Sequence, residues 1–83
     1  MDWEDVPLKW FVGKDVERAF GRREYMWVAI LAIDDERGVL CGRLINDPVL
    51  YERARYADVA EVRPDEIADV QPHSPACVVR PLR

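Results

Sequence analysis

The feature that most constrains this chain is an unbroken apolar run from residue 25 to residue 33. Its β-branched and aromatic content favours a strand, although a short apolar run also fits a buried helix. Alternation gives two apolar faces, Met26, Val28, Ile30 and Ala32 on one, and Tyr25, Trp27, Ala29, Leu31 and Ile33 on the other. Because such a strand must be covered on both sides, we expect it to be central, with Trp27 in the core.

A second β-like run covers residues 39–45 and follows the charged segment 34–37 and Gly38. The charges interrupt the apolar pattern, and glycine can adopt the positive φ that a tight turn requires. Two β-like runs around a short loop that contains glycine predict a β-hairpin.

Three residues suited to a turn, Asn46, Asp47 and Pro48, end the second run. Proline fixes its own φ and disfavours the α region for Asp47, while the side chain of Asn46 can bond to the backbone two residues on. We therefore interpret the three residues as a structural turn. The alternative, an acid/base or metal site, lacks a second polar cluster that would complete it.

Two spaced motifs in this hairpin have counterparts in a known family. Residues 24–28 read Glu-Tyr-Met-Trp-Val and residues 42–48 read Gly-Arg-Leu-Ile-Asn-Asp-Pro. With weaker motifs at 56–60 and 65–69, they resemble the YegJ-like bacterial domain of unknown function, which favours glycine at the position of Ala57. The resemblance implies a small soluble bacterial domain with no established chemistry or cofactor.

The patterns on either side of the hairpin predict short elements packed against it. Residues 8–12 alternate as a strand, and Asp15 is a suitable N-cap for a helix over 15–20, where apolar residues recur at helical spacing. C-terminal to the hairpin, residues 59–63 alternate as a further strand, and Pro64 suits the first position of a helical turn.

Two segments leave alternatives open. Residues 49–56 fit one or two helical turns, whereas the family resemblance suggests an extended approach to a turn, and residues 77–79 are compatible with an edge strand. The expected fold is α+β: a small curled antiparallel sheet or partly open barrel of about four to five strands with one or two short helices. The chain is expected to form one domain over residues 1–83, with residues 1–7 and 72–83 as loose or extended tails.

The charge balance argues against some partners. The chain has 16 acidic and 12 basic residues and a net charge of −4. An acidic surface repels phosphate backbones, so nucleic acid is an unlikely partner. The sequence has no run near the ~20 apolar residues of a membrane span and no basic-then-apolar leader, so we expect a cytoplasmic protein that binds no membrane.

The search for catalytic or metal-binding residues predicts none, and it predicts no cofactor. Cys41 and Cys77 are too far apart for a zinc motif, and His73 is the only histidine. Cys41 is expected to be a buried free thiol. The strongest enzyme hypothesis is a carboxylate pair formed by Glu24 and Asp47 at the ends of the hairpin strands. We nevertheless expect a protein that is not an enzyme.

Two functional hypotheses remain. The preferred one is an accessory module that binds a protein partner, or itself, through a surface that includes Trp3, Trp10 and Phe11. Aromatic residues carry much of the binding energy of protein interfaces. The alternative is a small barrel of the SH3 or OB type that binds a single-stranded nucleic acid or a small ligand on its aromatic residues.

Overall fold

Five strands form a single antiparallel sheet in the computed structural model, which describes residues 2–21, 24–46, 48 and 53–73. The strands are β1 (Lys14–Phe20), β2 (Glu24–Asp34), β3 (Val39–Leu44), β4 (Val59–Val62) and β5 (Ile67–Pro72). Their order in the sheet is β4-β3-β2-β1-β5. Helical structure in the described residues is limited to the 3₁₀ turns Trp3–Asp5, Leu8–Phe11 and Pro64–Glu66. The predicted antiparallel sheet is confirmed, but the fold is mostly β and the α+β class is not.

The sheet is curved but does not close. In a flat sheet, β1 and β4 would lie about 14 Å apart, because two strands separate them. Nevertheless, Nη1 of Arg18 on β1 donates a hydrogen bond to the carbonyl oxygen of Glu61 on β4 at 2.8 Å. The sheet therefore folds over the face that carries Arg18, while β4 and β5 remain its two unpaired edges within the described residues.

The predicted hairpin is confirmed as β2 and β3, with β2 at the centre of the sheet. A bulge interrupts its pairing, since Ile30 pairs with Gly42 and the next pair is Ala32 with Cys41. The extra residue, Leu31, is exposed, and the bulge reverses the alternation so that Ile33 packs against the core. The core cluster contains nine buried residues: Phe11, Val16, Phe20, Met26, Val28, Ile30, Leu40, Leu44 and Val62.

The prediction that Trp27 lies in this core is wrong. Met26 and Val28 are buried in the core cluster, and strand alternation turns Trp27 to the other face, where it is half-buried. The sequence pattern showed that both faces of β2 are apolar, but not which face packs against the main core.

The predicted helix over residues 15–20 is also wrong, because these residues form most of β1. Val16 and Phe20 are four residues apart, a spacing that places them on the same face of either a helix or a strand. Both are buried, as either structure requires. β1 pairs with β2 on one side and β5 on the other, and this pairing outweighs the local helical pattern.

The predicted strand over residues 8–12 is instead the 3₁₀ turn Leu8–Phe11. Leu8 and Phe11, which are three residues apart, both pack inward, whereas Trp10 and Val12 are exposed. A 3₁₀ helix has three residues per turn, so residues three apart lie on the same face. The inward-facing residues therefore have the spacing of a 3₁₀ turn and not the alternation of a strand.

The C-terminal part of the sheet was predicted in part. The strand predicted over 59–63 is β4, and Pro64 begins a 3₁₀ turn in which the Glu66 carboxylate accepts a hydrogen bond from the Arg63 N–H at 2.9 Å. The edge strand β5 was not predicted. The predictions for Asp47, for residues 49–52 and for residues 77–79 lie outside the described residues.

A strained turn precedes β4. Ala57 has a φ of 72°, the left-handed conformation that L-residues with a Cβ adopt at a cost. The Ala57 N–H donates to the carbonyl oxygen of Leu44 at 2.8 Å, and its own carbonyl oxygen accepts a hydrogen bond from Nη1 of Arg43 at 2.9 Å. These bonds to β3 hold the residue in place.

We expect Ala57→Gly to raise the free energy of unfolding by about 0.5–1 kcal/mol, because relief of the left-handed strain exceeds the added entropy of the unfolded glycine chain. Urea denaturation measures the change. The control is Ala60→Gly in β4, where glycine should destabilise. A lower stability for Ala57→Gly would contradict the strain argument.

Candidate functional site

The predicted turn residue Asn46 bonds across the hairpin. Its Oδ1 accepts a hydrogen bond from the backbone N–H of Trp27, and the N–H of Ile45 donates to the Trp27 carbonyl oxygen at 3.0 Å. The Asn46 side chain thus continues the β2–β3 hydrogen bonding where β3 ends. Pro48 is half-buried, and Asp47 lies outside the described residues.

We expect Asn46→Leu to lower the free energy of unfolding by about 1–3 kcal/mol, because the partly buried N–H of Trp27 would lose its acceptor. Thermal denaturation measures this loss. Asn46→Asp is the matched control, since it keeps an acceptor oxygen and should cost less. Equal losses for the two variants would show that this bond contributes nothing.

The three aromatic residues predicted as a partner surface form one cluster. The rings of Trp3 and Trp10 stack with their centroids 6.4 Å apart, and both meet the Phe11 ring edge-on, at 6.2 and 5.2 Å. Phe11 is fully buried, Trp3 is half-buried and Trp10 is 44% exposed. Phe11 therefore anchors the cluster in the core, and Trp10 presents it to solvent.

Trp10 is held firmly for an exposed side chain. Nζ of Lys14 lies 4.1 Å from the Trp10 ring centroid and donates a hydrogen bond to the Trp10 carbonyl oxygen at 2.8 Å. The ring is thus fixed by a cation–π contact, a stacked indole and an edge-on phenyl ring. A base or planar ligand that stacked on it would have to displace these contacts.

The surroundings of Trp10 combine apolar and acidic residues. Val12 and Gly13 follow it along the chain, and Val12 is exposed. The hydrogen bond from the Gly13 N–H to the Ile30 carbonyl oxygen places exposed Leu31 near Gly13. Three further exposed residues belong to the Trp3 segment: Asp2, Glu4 and Asp5. This part of the surface therefore has an apolar centre and a margin of mixed charge, since exposed Lys9 and the Lys14 ammonium also adjoin Trp10.

A buried carboxyl group on β1 was missed by sequence reasoning. Asp15, predicted as an N-cap, is fully buried, and its Oδ1 lies 2.7 Å from Nδ1 of His73. Its Oδ2 is buried and has no hydrogen-bond partner among the described residues. The two residues are 58 positions apart, and the pairing of β1 with β5 brings them together. No local pattern could have indicated this contact.

A cleft lies on the face over which the sheet curves, between β1, β4 and the turn before β4. Its volume is about 550 Å³, and four arginines line it: Arg18, Arg37, Arg53 and Arg63. Sequence reasoning singled out none of them, because they lie in four separate segments of the chain.

One ion pair crosses the rim of the cleft. The guanidinium of Arg37 binds both carboxylate oxygens of Glu61 at 2.7 Å. The hydrogen bond from Arg37 lowers the pKa of Glu61, and the pKa of Arg37 is raised in turn. Because folding lowers the pKa of Glu61, the ion pair stabilises the fold at pH values above the ordinary pKa of a glutamate. This stabilisation is lost as the pH falls through the lowered pKa of Glu61 in the folded protein.

Other candidate sites have less support. The described residues contain no cluster of three or more His, Cys, Asp or Glu side chains able to hold a metal ion. Cys41 is a free, half-buried thiol, whereas the Glu24–Asp47 pair lies partly outside the described residues. No helix within the described ranges has the length and apolar character needed to cross a membrane. No protein-family model matches the chain, and neither a curated protein nor a solved structure does.

Proposed function

We propose that this protein is a non-enzymatic module that binds a protein partner through the Trp10 surface, defined as Trp10, Val12 and Leu31 with the charged margin Asp2, Glu4, Asp5 and Lys9. The observation that carries the proposal is a tryptophan that is 44% exposed yet fixed by three neighbouring groups. A rigid aromatic side chain loses little entropy on binding, which is why such residues dominate interface energies.

The charge around Trp10 indicates the chemistry of the partner. Its margin has three acidic side chains and the exposed Lys9, the Lys14 ammonium lies against the indole, and the whole chain has a net charge of −4. Complementary charges accelerate association and select among partners. The best-fitting partner is therefore a protein segment with an apolar surface for the exposed part of the indole and charged side chains of both signs around it.

A small barrel that binds ligands on its aromatic residues is the second candidate. The curvature of the sheet supports it in one respect, because the hydrogen bond from Arg18 to Glu61 brings β1 and β4 together over one face, as in a partly open barrel. Fold alone does not imply function. Binding of a single-stranded nucleic acid by such a barrel has less support, because the Trp10 ring already stacks on Trp3 and the protein has a net negative charge.

Affinity capture tests the proposal. The immobilised protein should retain a partner from an extract of its own source, and Trp10→Ala and Val12→Glu should each abolish retention. Tyr25→Ala is the matched control, because Tyr25 is an exposed aromatic residue outside this surface. Retention by the Trp10 and Val12 variants would place the partner site elsewhere. Sedimentation across a concentration series identifies self-association, in which case the captured partner is a second copy of the chain.

A further inference from the structure

The cleft lined by Arg18, Arg37, Arg53 and Arg63, called the arginine cleft below, suggests a second binding site. It shares no lining residue with the Trp10 surface. Four arginines among the described residues line it, in a protein that is acidic overall. Three acidic residues also line the cleft: Asp58, Glu61 and Glu66. What the cleft can bind depends on which of these charges are already engaged.

Each acidic residue of the cleft has a partner within the fold. Glu61 is bound by Arg37, and Glu66 accepts a hydrogen bond from the Arg63 N–H at 2.9 Å. Oδ2 of Asp58 accepts from the Arg55 N–H at 2.9 Å. The carboxylates therefore stabilise local turns and one ion pair. A bond to a backbone N–H leaves a carboxylate charged, so the four arginines of the lining exceed its three carboxylates by one positive charge.

Two arginines keep donors available. Within the described residues, Arg53 is exposed and makes no hydrogen bond or ion pair, and the closest partner of the Arg63 guanidinium is a carboxylate oxygen of Asp65, 3.7 Å from Nε. Arg18 adds a positive charge that is fixed in place, because its Nε and Nη1 bond to the carbonyl oxygens of Ala19 and Glu61. Guanidinium forks fit carboxylate and phosphate oxygens.

The cleft also has an apolar lining. The guanidinium of Arg18 lies 4.1 Å from the centroid of the buried Phe20 ring, and buried Val39 and Leu44 line the cleft beside it. A volume of about 550 Å³ is within the range of small-molecule sites, which combine apolar walls with a few polar groups.

We propose that this cleft binds an oxyanion, either a carboxylate or a phosphate, carried on a small apolar or aromatic group. The free donors of Arg53 and Arg63 bind the oxyanion, and the apolar group packs against the lining beside Phe20. Arg37 serves mainly as structure, since Glu61 occupies its fork.

Backbone amide NMR titration of the whole chain tests this site with four probes: benzoate, phenyl phosphate, inorganic phosphate and neutral benzamide. We expect saturable chemical-shift changes for benzoate or phenyl phosphate, concentrated at residues 18–20 and 58–63. Whichever of these two probes binds with the higher affinity identifies the oxyanion. Inorganic phosphate should bind more weakly because it lacks the apolar group, and benzamide should cause no saturable shift.

Arg53→Gln and Arg63→Gln should each raise the dissociation constant of the tighter-binding probe about ten-fold. This is the effect expected for the loss of a charge-assisted hydrogen bond. Lys9→Gln removes the same charge from an exposed residue outside the cleft and should leave binding unchanged. The spectra of the free variants show whether the fold is retained. Absence of saturable binding by both aromatic anions, or equal weakening by Arg53→Gln and Lys9→Gln, would overturn the proposal.

Discussion

Replacement of Gly42 by alanine is expected to cause one of the largest losses of stability in this protein. Gly42 is buried on β3 opposite Ile30, beside the bulge in β2. A Cβ at position 42 would overlap the carbonyl oxygen of Ala29 and lie 2.8 Å from its carbonyl carbon. Because this obstacle is the backbone of a central strand, no side-chain rotation relieves it. We expect a loss of about 3 kcal/mol or more, or failure to fold.

Gly38→Ala provides the matched control for this prediction. Gly38 lies in the β2–β3 turn with a φ of 68°, and a Cβ there would meet no atom within 4 Å. Its replacement should cost only the left-handed strain, about 1 kcal/mol. Urea denaturation of both variants measures the difference. Similar losses would mean that β2 and β3 are not paired as closely at Gly42 as the structure describes.

The second large effect is expected where the buried Asp15 meets His73, whose side chain is 33% exposed. His73→Ala would remove the Oδ1 hydrogen bond of a fully buried carboxyl group whose Oδ2 already has no partner among the described residues. Such an unsatisfied group costs about 2–3 kcal/mol of unfolding free energy. Asp15→Val should cost less, because valine suits a strand and removes the polar group altogether.

A double-mutant cycle measured by urea denaturation distinguishes this pairing from general effects of the two substitutions. In the Asp15→Val background, His73→Ala should change the unfolding free energy by less than about 0.5 kcal/mol, so that the coupling exceeds about 1 kcal/mol. Additive losses would contradict the account, because they would show that His73 stabilises the fold independently of Asp15.

Local sequence patterns were sufficient to predict those elements whose structure depends on residues close together in the chain. The apolar run in β2, the glycine-containing turn and the alternation of β3 together predict the central hairpin. Pro64 and the acidic residues after it similarly predict the 3₁₀ turn before β5. These features arise from φ restrictions and side-chain alternation, which a single sequence displays directly.

Contacts between distant segments could not be predicted in the same way. The spacing of Val16 and Phe20 fits both a helix and a strand, and only pairing with β2 and β5 decides between them. The Asp15–His73 pair and the arginine cleft both depend on that arrangement. The cluster of large aromatic residues was visible from the sequence, but the exposure of Trp10 and the burial of Phe11 followed from a 3₁₀ turn where a strand was predicted.

The most direct test of the proposed function is the dissociation constant of the complex with the captured partner, measured for three forms of the protein. Trp10→Ala should weaken binding at least about 30-fold, the loss expected for a central aromatic anchor, and Tyr25→Ala should change it less than about two-fold. Thermal denaturation of each variant shows that the fold is retained. Equal affinities for Trp10→Ala and the unmodified protein would contradict the assignment of the Trp10 surface as the binding site.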